Sequence, residues 1–283
     1  MQGLRVERFH TLIPGLLRIS RDAGAAILEV YDSDFAIEHK EDKSPLTLAD
    51  RRSHEVIVNG LSGLDDMEIP ILSEEGKNIP FEDRRAWEIF WLVDPLDGTK
   101  EFIRRNGEFT VNIALIQKGR PVLGVIYIPA QDIFYFGAEG LGSFKLEDGD
   151  TLSSGPLEKI LGPAIRLPLD PHSSVASQAV RFAVIASRSH LSPETVLFIN
   201  DLRAKHGELN FISAGSSLKF CLIAEGIANV YPRFAPTMEW DTAAGQAIVE
   251  NAGGRVLRAD SRQPVTYNKE DLHNPWFVAE RSP

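Results

Sequence analysis

The sequence predicts a mixed α/β protein built from two packed halves, and three patterns indicate this. Apolar residues recur at helical spacing over residues 12–30. Apolar runs over residues 109–136, separated by turn residues, are typical of an antiparallel meander. In the C-terminal third, short apolar runs alternate with helical segments. Because residues 148–177 are rich in Gly, Pro, Ser and Leu, we predict one half over 1–150 and a second over 151–283.

Composition limits the class of protein. The chain has 283 residues, of which 43% are hydrophobic and 25% charged, so it can bury a sizeable core. A formal net charge of −10 argues against binding a nucleic-acid polymer, although bound divalent cations would still permit a small anionic substrate. A single cysteine, Cys221, excludes an internal disulfide and a Cys-based zinc site. We find no apolar run of about 18 residues and no signal peptide, so we expect a cytoplasmic protein.

Two helices and a strand are predicted before the central stretch. The N-terminal helix has Pro14 near its start, where proline is tolerated. A second helix over residues 49–61 has Asp50 in its first turn, where the helix dipole is enough to explain a carboxylate. Residues 69–72 then form a short strand that ends in Ser73-Glu74-Glu75-Gly76. Adjacent glutamates are usually solvated, but at a strand end before a glycine they are candidate ligands.

The central stretch begins with the apolar Trp91-Leu92-Val93, which is typical of the end of a buried strand. Asp94 and Asp97 follow three positions apart, and Pro95 stiffens the predicted turn between them. Such a turn can direct both carboxylates to one point, with the carbonyl of Leu96 between them. These oxygen ligands are the ones that hard divalent cations such as Mg²⁺ prefer.

A predicted helix start follows the two acids. The free N–H groups of Gly98 and Thr99 can receive a phosphate at that position. A metal site beside an anion site indicates metal-assisted phosphate chemistry. Taken by itself, the same stretch also fits an ordinary Asp-Pro and Asp-Gly surface turn.

The rest of the chain supplies the remaining strands and helices. Helices are predicted to begin near Ser192, at Leu218 and near Asp241. Residues 137–143 are glycine-rich but lack the spacing of a dinucleotide-binding loop, so we predict a hairpin turn there. The predicted strands cover residues 109–116, 121–128 and 133–136 in the meander, then 182–186, 210–214 and 228–231, and finally 256–257 and 277–279.

Three polar positions in the second half each have a structural and a functional interpretation. His190 fits an ordinary loop histidine as well as a ligand contact. Ser216 and Ser217 open a helix, as a plain N-cap or as an anion-binding nest to which Lys219 adds charge. Asp241 lies near a helix start, where it could be a cap or a metal ligand.

These motifs together resemble the inositol monophosphatase superfamily of lithium-sensitive, magnesium-dependent phosphatases. Three motifs occur in that family's order, namely Ser73-Glu74-Glu75, Asp94-Pro95-Leu96-Asp97-Gly98-Thr99 and Trp240-Asp241-Thr242-Ala243-Ala244-Gly245. Other stretches are most similar to its bacterial CysQ-type branch, the 3'(2'),5'-bisphosphate nucleotidases: residues 106–112, 215–221 and 231–234. That branch hydrolyses the 3'-phosphate of adenosine 3',5'-bisphosphate, a by-product of sulfate assimilation. The resemblance runs from about residue 19 to the C-terminus.

The resemblance implies a metal site and an activated water. Its metal ligands, for two or three Mg²⁺ ions, would be Glu74, Asp94, the Leu96 carbonyl, Asp97 and Asp241. Thr99 and Asp50 would orient and help to deprotonate the attacking water, with metal-bound Glu74 as a further catalytic residue. Several carboxylates can share one site only if cations neutralise them, which agrees with this assignment.

The resemblance also implies the substrate contacts. Gly98 and Thr99 would hold the scissile phosphate through their backbone, beside Asp241. The 5'-phosphate and ribose side would contact Ser216, Lys219 and Arg233, with His190 near the adenine. In inositol-specific members an acidic residue lies near the position of Arg233. An arginine there favours a second phosphate, because its planar fork can bind one bidentately.

The fold implied by the resemblance is an αβαβα sandwich with an antiparallel N-terminal sheet and a smaller mixed C-terminal sheet. The active site would lie between the two halves, where clefts commonly form. The expected partner is a small phosphorylated nucleotide, without a nucleic-acid polymer or a transmembrane segment. Both a monomer and a homodimer remain open, as does peripheral attachment to the cytoplasmic face of the inner membrane.

Alternative functions are also considered. The stretch from Leu96 to Thr99 partly matches the haloacid-dehalogenase phosphatase motif, but Pro95 stands at the position of the nucleophile and cannot serve as one. A catalytically retired nucleotide sensor would usually have lost a metal ligand, and here every implied ligand is present. Inositol monophosphatase and fructose 1,6-bisphosphatase activity remain the enzymatic alternatives.

Overall fold

The helices and sheets stack in five layers. The computed structural model describes residues 6–32, 37–39, 45–64, 68–147, 155–169, 181–186 and 192–281. Two N-terminal helices cover one face of a seven-stranded sheet, and a second pair of helices lies between that sheet and a five-stranded one. A further helix covers the outer face of the smaller sheet. The predicted αβαβα fold class is thereby confirmed.

The predicted helices all occur in the predicted order, but two short helices, Phe81–Arg84 and Leu157–Leu161, were not predicted, and the first helix differs at its N-terminus. Phe9 extends the buried apolar stripe, so the first helix begins earlier than predicted and Pro14 lies inside it rather than near its start. Ser192 caps its helix as predicted, since Ser192 Oγ accepts the Thr195 N–H at 3.2 Å. The helices are α1 (Val6–Tyr31), α2 (Leu48–Ser62), α3 (Phe81–Arg84), α4 (Thr99–Ile103), α5 (Leu157–Leu161), α6 (Pro193–His206), α7 (Leu218–Glu225) and α8 (Ala243–Asn251).

None of the helices in these described ranges is long and apolar enough to cross a lipid bilayer. The cytoplasmic location stays a prediction.

The large sheet has its strands in the order β3-β4-β5-β6-β7-β8-β9, next to a separate hairpin of β1 (Ile37–His39) and β2 (Pro45–Thr47). The predicted meander is confirmed, and β3–β4 is the one parallel pair in an otherwise antiparallel sheet. The sheet extends past residue 150, while the division into halves stays a prediction. Its strands are β3 (Ile71–Ser73), β4 (Ile89–Asp97), β5 (Thr110–Gln117), β6 (Arg120–Ile128), β7 (Ile133–Ala138), β8 (Gly142–Glu147) and β9 (Ile165–Leu167).

The small sheet is mixed, as predicted. Its order is β11-β10-β12-β14-β13, with parallel pairing from β11 to β12 and antiparallel pairing from β12 to β13. Its strands are β10 (Ala183–Ile185), β11 (Asn210–Ile212), β12 (Val230–Arg233), β13 (Arg255–Arg258) and β14 (Phe277–Glu280).

The large sheet is apolar on both faces because helices cover both. Along β5, Val111, Ile113 and Leu115 pack in the core beneath α1 and α2. Ala114 and Ile116 pack in the core shared with α7 and α8. Since side chains alternate along a strand, a sheet covered twice requires a nearly continuous apolar run, which the sequence shows here.

Glycines allow α8 to lie directly on the large sheet. A Cβ atom at Gly124 of β6 would lie 2.5 Å from the carbonyl O of Ala244 and 2.9 Å from Ala247 Cβ. On β7, a Cβ atom at Gly137 would lie 3.2 Å from Ile248 Cα. These two glycines therefore set how closely α8, which begins just after Asp241, approaches the sheet.

Replacing Gly124 by Ala should lower the free energy of unfolding by about 1–3 kcal/mol, because the added methyl group meets helix backbone. Urea unfolding measures this change. Gly162→Ala is the matched control, since a Cβ there has no neighbour closer than 3.7 Å and its φ is −56°. If both variants are as stable as the wild type, the close packing of α8 is not required.

Candidate active site

β4 brings two carboxylates to one face of the large sheet by means of a β-bulge. The strand continues to Asp97, so the stretch after Val93 is strand and not the turn that the sequence predicted. Asp94 pairs with Asn112 and Asp97 with Thr110, so three steps along β4 match two along β5. Residues three apart normally point to opposite faces of a strand, and the extra residue of the bulge returns both carboxylates to one face.

α2 holds this bulge and adds a third carboxylate. Ser53 Oγ donates to the carbonyl oxygen of Pro95 at 2.7 Å in the protein interior. Asp94 Oδ1 accepts the N–H of Leu96 at 3.1 Å, which fixes the side chain against its own strand. Asp50 lies three residues before Ser53, on the same helix face, and is buried. The helix therefore orders the bulge and places Asp50 beside it.

Glu74 lies beside Asp94 because β3 and β4 run parallel. Ser73 pairs with Val93, and the N–H of Glu74 donates to the carbonyl oxygen of Val93 at 3.1 Å. Nδ1 of His54, on α2, lies 2.9 Å from Ser73 Oγ. Burial lowers the pKa of His54. The same helix thus contacts both strand ends that carry acids.

The fifth carboxylate comes from the C-terminal half. Asp241 ends a 3₁₀-helix (Glu239–Asp241) just before α8, and its Oδ2 accepts the N–H of Met238 at 2.9 Å. Glu239 is fully buried and accepts the N–H groups of Asn268 at 2.7 Å and Lys269 at 3.0 Å. This segment is therefore tied to the loop that precedes β14.

The five carboxylates repel one another. Burial raises the pKa of Asp94 well above its usual range, and Glu74, Asp97, Asp241 and Asp50 raise it further. Burial and the charge of Asp97 raise the pKa of Asp241 to about 7. Like charges this close favour protonation unless a cation neutralises them. The cluster is thus electrostatically suited to a divalent cation.

These acids do not form a ready-made metal cage. Over the part of the chain that the structure describes, no group of three or more His, Cys, Asp or Glu side chains is arranged to hold a metal ion. Asp97 Oδ2 instead accepts hydroxyl groups from Ser216 at 2.7 Å and Ser217 at 2.8 Å. The predicted ligands are neighbours, and their coordination of a metal stays a prediction.

Two glycines let the loop before α4 and the loop before α7 approach each other at this point. Gly98, at the start of α4, has a φ of 93°, and a Cβ there would lie 3.2 Å from Ser216 Cβ. A Cβ at Gly215 would lie 2.7 Å from Glu101 Cγ. The N–H of Gly215 donates to Glu108 Oε2 at 2.7 Å. Larger residues at either glycine would separate the two loops.

Two adjoining cavities open beside the carboxylates. The inner cavity has a volume of about 220 Å³, and Asp97, Gly98, Ser216 and Asp241 are among the residues that line it. The outer cavity has a volume of about 580 Å³ and is lined by residues of both halves. Among the residues that the structure describes, four line both cavities: Glu101, Lys219, Tyr231 and Arg233. Together the cavities are large enough for a small-molecule ligand.

Two cations lie on this shared wall. Lys219 Nζ donates to the carbonyl oxygen of Ser216 at 2.8 Å. Arg233 Nη2 donates to the carbonyl oxygen of Pro236 at 3.3 Å, while its buried Nε has no hydrogen-bond partner among the described residues. Arg233 and Asp241 both line the inner cavity, and the positive charge of Arg233 partly offsets the rise in the pKa of Asp241. A guanidinium with a spare buried donor suits an anionic ligand.

The predicted site residues largely come together. Of the predicted site residues, those that form the cluster of five carboxylates are Asp50, Glu74, Asp94, Asp97 and Asp241. Of the predicted site residues, those that line the cavities are Gly98, Ser216, Lys219, Arg233 and Asp241. Leu96 contributes its backbone in the bulge, and Thr99 begins α4 directly after Gly98. His190 lies outside the described residues.

Sequence reasoning missed several polar residues at the site, including two pairs. Glu101 and Arg104 line the outer cavity and lie three residues apart, a spacing that places them on one face of a helical turn. Thr110 and Asn112 are buried on β5. Two polar residues in alternate positions of an apolar strand were the available signal, because such residues share one face.

Comparisons with known proteins agree with this architecture. The sequence profile of the Inositol monophosphatase family matches residues 10–280. The 3'(2'),5'-bisphosphate nucleotidase CysQ of Salmonella typhimurium is 44% identical over 268 residues, which cover 94% of this chain and 98% of that protein. The protein of the same name from Escherichia coli strain K12 is 43% identical over 269 residues, covering 94% and 98%.

Solved structures show the same relationship. The crystal structure of CysQ from Bacteroides thetaiotaomicron superposes with a TM-score of 0.84 at 47% identity, and the match covers 97% of this chain and 99% of that one. The suhB structure from Bartonella henselae has a TM-score of 0.67 at 22% identity, with coverage of 96% and 94%, and shares the fold. Since the family profile spans nearly the whole chain and CysQ proteins match it over nearly their full length, the chain belongs to the inositol monophosphatase family.

Proposed function

We propose that the chain is a magnesium-dependent phosphatase that converts adenosine 3',5'-bisphosphate to AMP and phosphate, disposing of a by-product of sulfate assimilation. Relatives named 3'(2'),5'-bisphosphate nucleotidase match it over 94% of its length, which supports this activity. Within the structure, the observation that supports the substrate best is the position of Lys219 and Arg233 between two adjoining cavities. A substrate with one phosphate beside the acids and another beside these cations fits that arrangement.

The carboxylate cluster fits Mg²⁺. Carboxylate and carbonyl oxygens are the donors that this ion prefers, and a cation would relieve the repulsion that raises the pKa of Asp94. We propose that the ions, two or three in number, are held by Glu74, Asp94, the carbonyl of Leu96, Asp97 and Asp241. When bound, they supply positive charge that acidifies a water molecule and stabilises the developing negative charge on the leaving oxygen.

Asp50 and Thr99 are proposed to act on the attacking water. A carboxylate can accept a proton from that water, and a threonine hydroxyl can orient it by both donating and accepting. Asp50 is buried on α2 beside the bulge, and Thr99 follows Gly98 at the start of α4. In the proposed reaction the water oxygen bonds to phosphorus, the bond from phosphorus to the 3'-oxygen breaks, and the 3'-oxygen ends as a hydroxyl.

Substrate contacts are proposed around the two cavities. The N–H groups of Gly98 and Thr99 would face the scissile phosphate near Asp241, while Lys219 and Arg233 would bind the 5'-phosphate. The Ser216 hydroxyl lies 2.7 Å from Asp97 Oδ2 and 2.6 Å from Thr110 Oγ1. Because its single proton is used within the protein, we propose that Ser216 accepts a hydrogen bond from a ribose hydroxyl. His190 remains the proposed contact to the adenine.

The direct test is phosphate release in Mg²⁺ from adenosine 3',5'-bisphosphate, inositol 1-phosphate and fructose 1,6-bisphosphate, with EDTA as the metal-free control. We expect kcat/KM for the nucleotide to exceed that for inositol 1-phosphate by roughly 10- to 100-fold, the value of about one charge-assisted contact. A preference for either sugar phosphate would refute the substrate assignment. Nucleotide binding without turnover would instead support a retired sensor.

Replacing Arg233 by Glu should reduce kcat/KM for adenosine 3',5'-bisphosphate by roughly 30- to 150-fold, which corresponds to the loss of about 2–3 kcal/mol. Hydrolysis of p-nitrophenyl phosphate should fall much less, because this compound lacks a second phosphate. Steady-state kinetics on both substrates measure the difference. Arg85→Glu is the control, since it makes the same charge change at an exposed position paired with Glu82. Equal losses on both substrates would show that Arg233 does not bind the second phosphate.

A further inference from the structure

A chain of buried side-chain hydrogen bonds leads from β5 to Asp97. Thr110 Oγ1 donates to Asn112 Oδ1 at 2.9 Å, and Asn112 Nδ2 donates to Ser217 Oγ at 2.9 Å. Ser217 Oγ then donates to Asp97 Oδ2 at 2.8 Å. Thr110, Asn112 and Ser217 are at most 1% exposed, so water does not compete for these bonds. We call these three residues the β5 relay.

The donors of Asn112 and Ser217 point towards Asp97, while Thr110 Oγ1 also lies 2.6 Å from Ser216 Oγ. The amide of Asn112 uses its oxygen for Thr110 and its NH₂ group for Ser217, so Ser217 Oγ accepts from Asn112 and keeps its own proton. That proton has two acceptors within reach, Asp97 Oδ2 at 2.8 Å and the carbonyl oxygen of Asp241 at 3.0 Å. Asp97 Oδ2 is the nearer of the two acceptors, so we assign the proton to Asp97.

Ser217 occupies a helix N-cap position without capping the helix. It precedes α7, yet its side chain makes no hydrogen bond to the N–H groups of that helix. At the equivalent position of α6, Ser192 Oγ accepts the N–H of Thr195 at 3.2 Å. Serine at this position usually stabilises a helix by such a bond. The hydroxyl of Ser217 instead lies within hydrogen-bond distance of Asp97 Oδ2 and of the carbonyl oxygen of Asp241.

Ser217 also connects the acids of the two halves. Asp97 lies on β4 of the large sheet, and Asp241 lies at the end of the 3₁₀-helix in the C-terminal half. The Ser217 hydroxyl is within hydrogen-bond distance of an atom of each. Its partner Asn112 stands opposite Asp94 in the pairing of β4 with β5. The relay therefore contacts the acidic cluster from both sides of the junction.

We propose that Ser217, oriented by Asn112, is a positioning residue of the Mg²⁺ site. Its hydroxyl donates to Oδ2 of Asp97 at 2.8 Å, beside the Ser216 hydroxyl at 2.7 Å, and lies 3.0 Å from the carbonyl oxygen of Asp241. Ser217 thereby helps to set the orientation of the Asp97 carboxylate relative to Asp241. Partners behind metal ligands commonly change metal affinity by 10- to 100-fold, because they fix the direction in which a ligand presents its oxygen. This inference rests on the proposed metal-dependent function, and it assigns a role to residues that do not contact substrate.

The test is a calorimetric titration of the folded protein with Mg²⁺ in the absence of substrate. Ser217→Ala should weaken Mg²⁺ binding by roughly 10- to 100-fold. Asn112→Ala keeps the Ser217 hydroxyl but removes its orienting donor, so it should shift the affinity in the same direction by a smaller factor. Ser143→Ala is the matched control, because it also removes a buried hydroxyl, one that donates to the carbonyl oxygen of Ile248 at 2.7 Å. Ser143→Ala should bind Mg²⁺ as the wild type does.

Kinetics separate positioning from a general structural defect. The Mg²⁺ concentration for half-maximal activity should rise in Ser217→Ala, while the nucleotide KM at saturating Mg²⁺ should stay near the wild-type value. Wild-type Mg²⁺ affinity in both Ser217→Ala and Asn112→Ala would refute the proposal, as would a wild-type protein that binds no Mg²⁺. If the wild type binds Mg²⁺ but hydrolyses a different phosphate ester, the substrate assignment fails while the titration still decides the role of Ser217.

Discussion

Repulsion among five neighbouring carboxylates, of which Asp50 and Asp94 are buried, is the constraint on which the rest of this structure depends. Acids from α2, the end of β3, β4 and the 3₁₀-helix before α8 are close enough to raise the pKa of Asp94, which is itself buried. A protein keeps such a cluster only if the repulsion is compensated, and a divalent cation is the simplest compensation for oxygen ligands. Neighbouring hydrogen bonds, the cavity and the cations on its wall are arranged around this cluster.

Backbone geometry brings these carboxylates together. Parallel pairing of β3 with β4 places Glu74 beside the acids of β4, and the bulge turns Asp94 and Asp97 to one face. Glycines at positions 98 and 215 allow the loops of the two halves to meet. At Gly124 the absence of a side chain likewise allows the start of α8, which follows Asp241, to lie close to the large sheet. The parallel strand pair, the bulge and the glycines lie far apart in sequence, and all of them contribute to one site.

Much of the fold was predictable, because the two buried faces of the large sheet leave a strong apolar pattern on β5 and β6. The order of motifs also identified the acids. The bulge was not predictable, because Asp94-Pro95 and Asp97-Gly98 use the same residues as an ordinary turn, and strand pairing with β5 decides between them. Likewise, a serine before a helix predicts a cap, and only the tertiary position of Ser217 shows that its hydroxyl serves Asp97 instead.

Charge placement is also compatible with the anionic substrate that we propose for this acidic protein. The formal net charge is −10, yet Lys219 and Arg233 line the wall between the inner and outer cavities. Positive charge is thus concentrated where a second phosphate would lie, and cations bound by the acids would supply the rest. The proposed recognition would therefore depend on this local field rather than on the overall charge.

The central claim is that the acidic cluster is a cation site shared by both halves, and thermal unfolding in increasing Mg²⁺ without substrate tests it most directly. Wild-type protein should gain about 2.7 kcal/mol of stability at a Mg²⁺ concentration 100 times the dissociation constant. Asp94→Asn should be more stable than the wild type without metal, because one repelling charge is gone, and should gain little from Mg²⁺. The exposed control Asp201→Asn should behave as the wild type does. A wild-type protein that Mg²⁺ does not stabilise, or an Asp94→Asn variant that responds as the wild type does, would contradict the account.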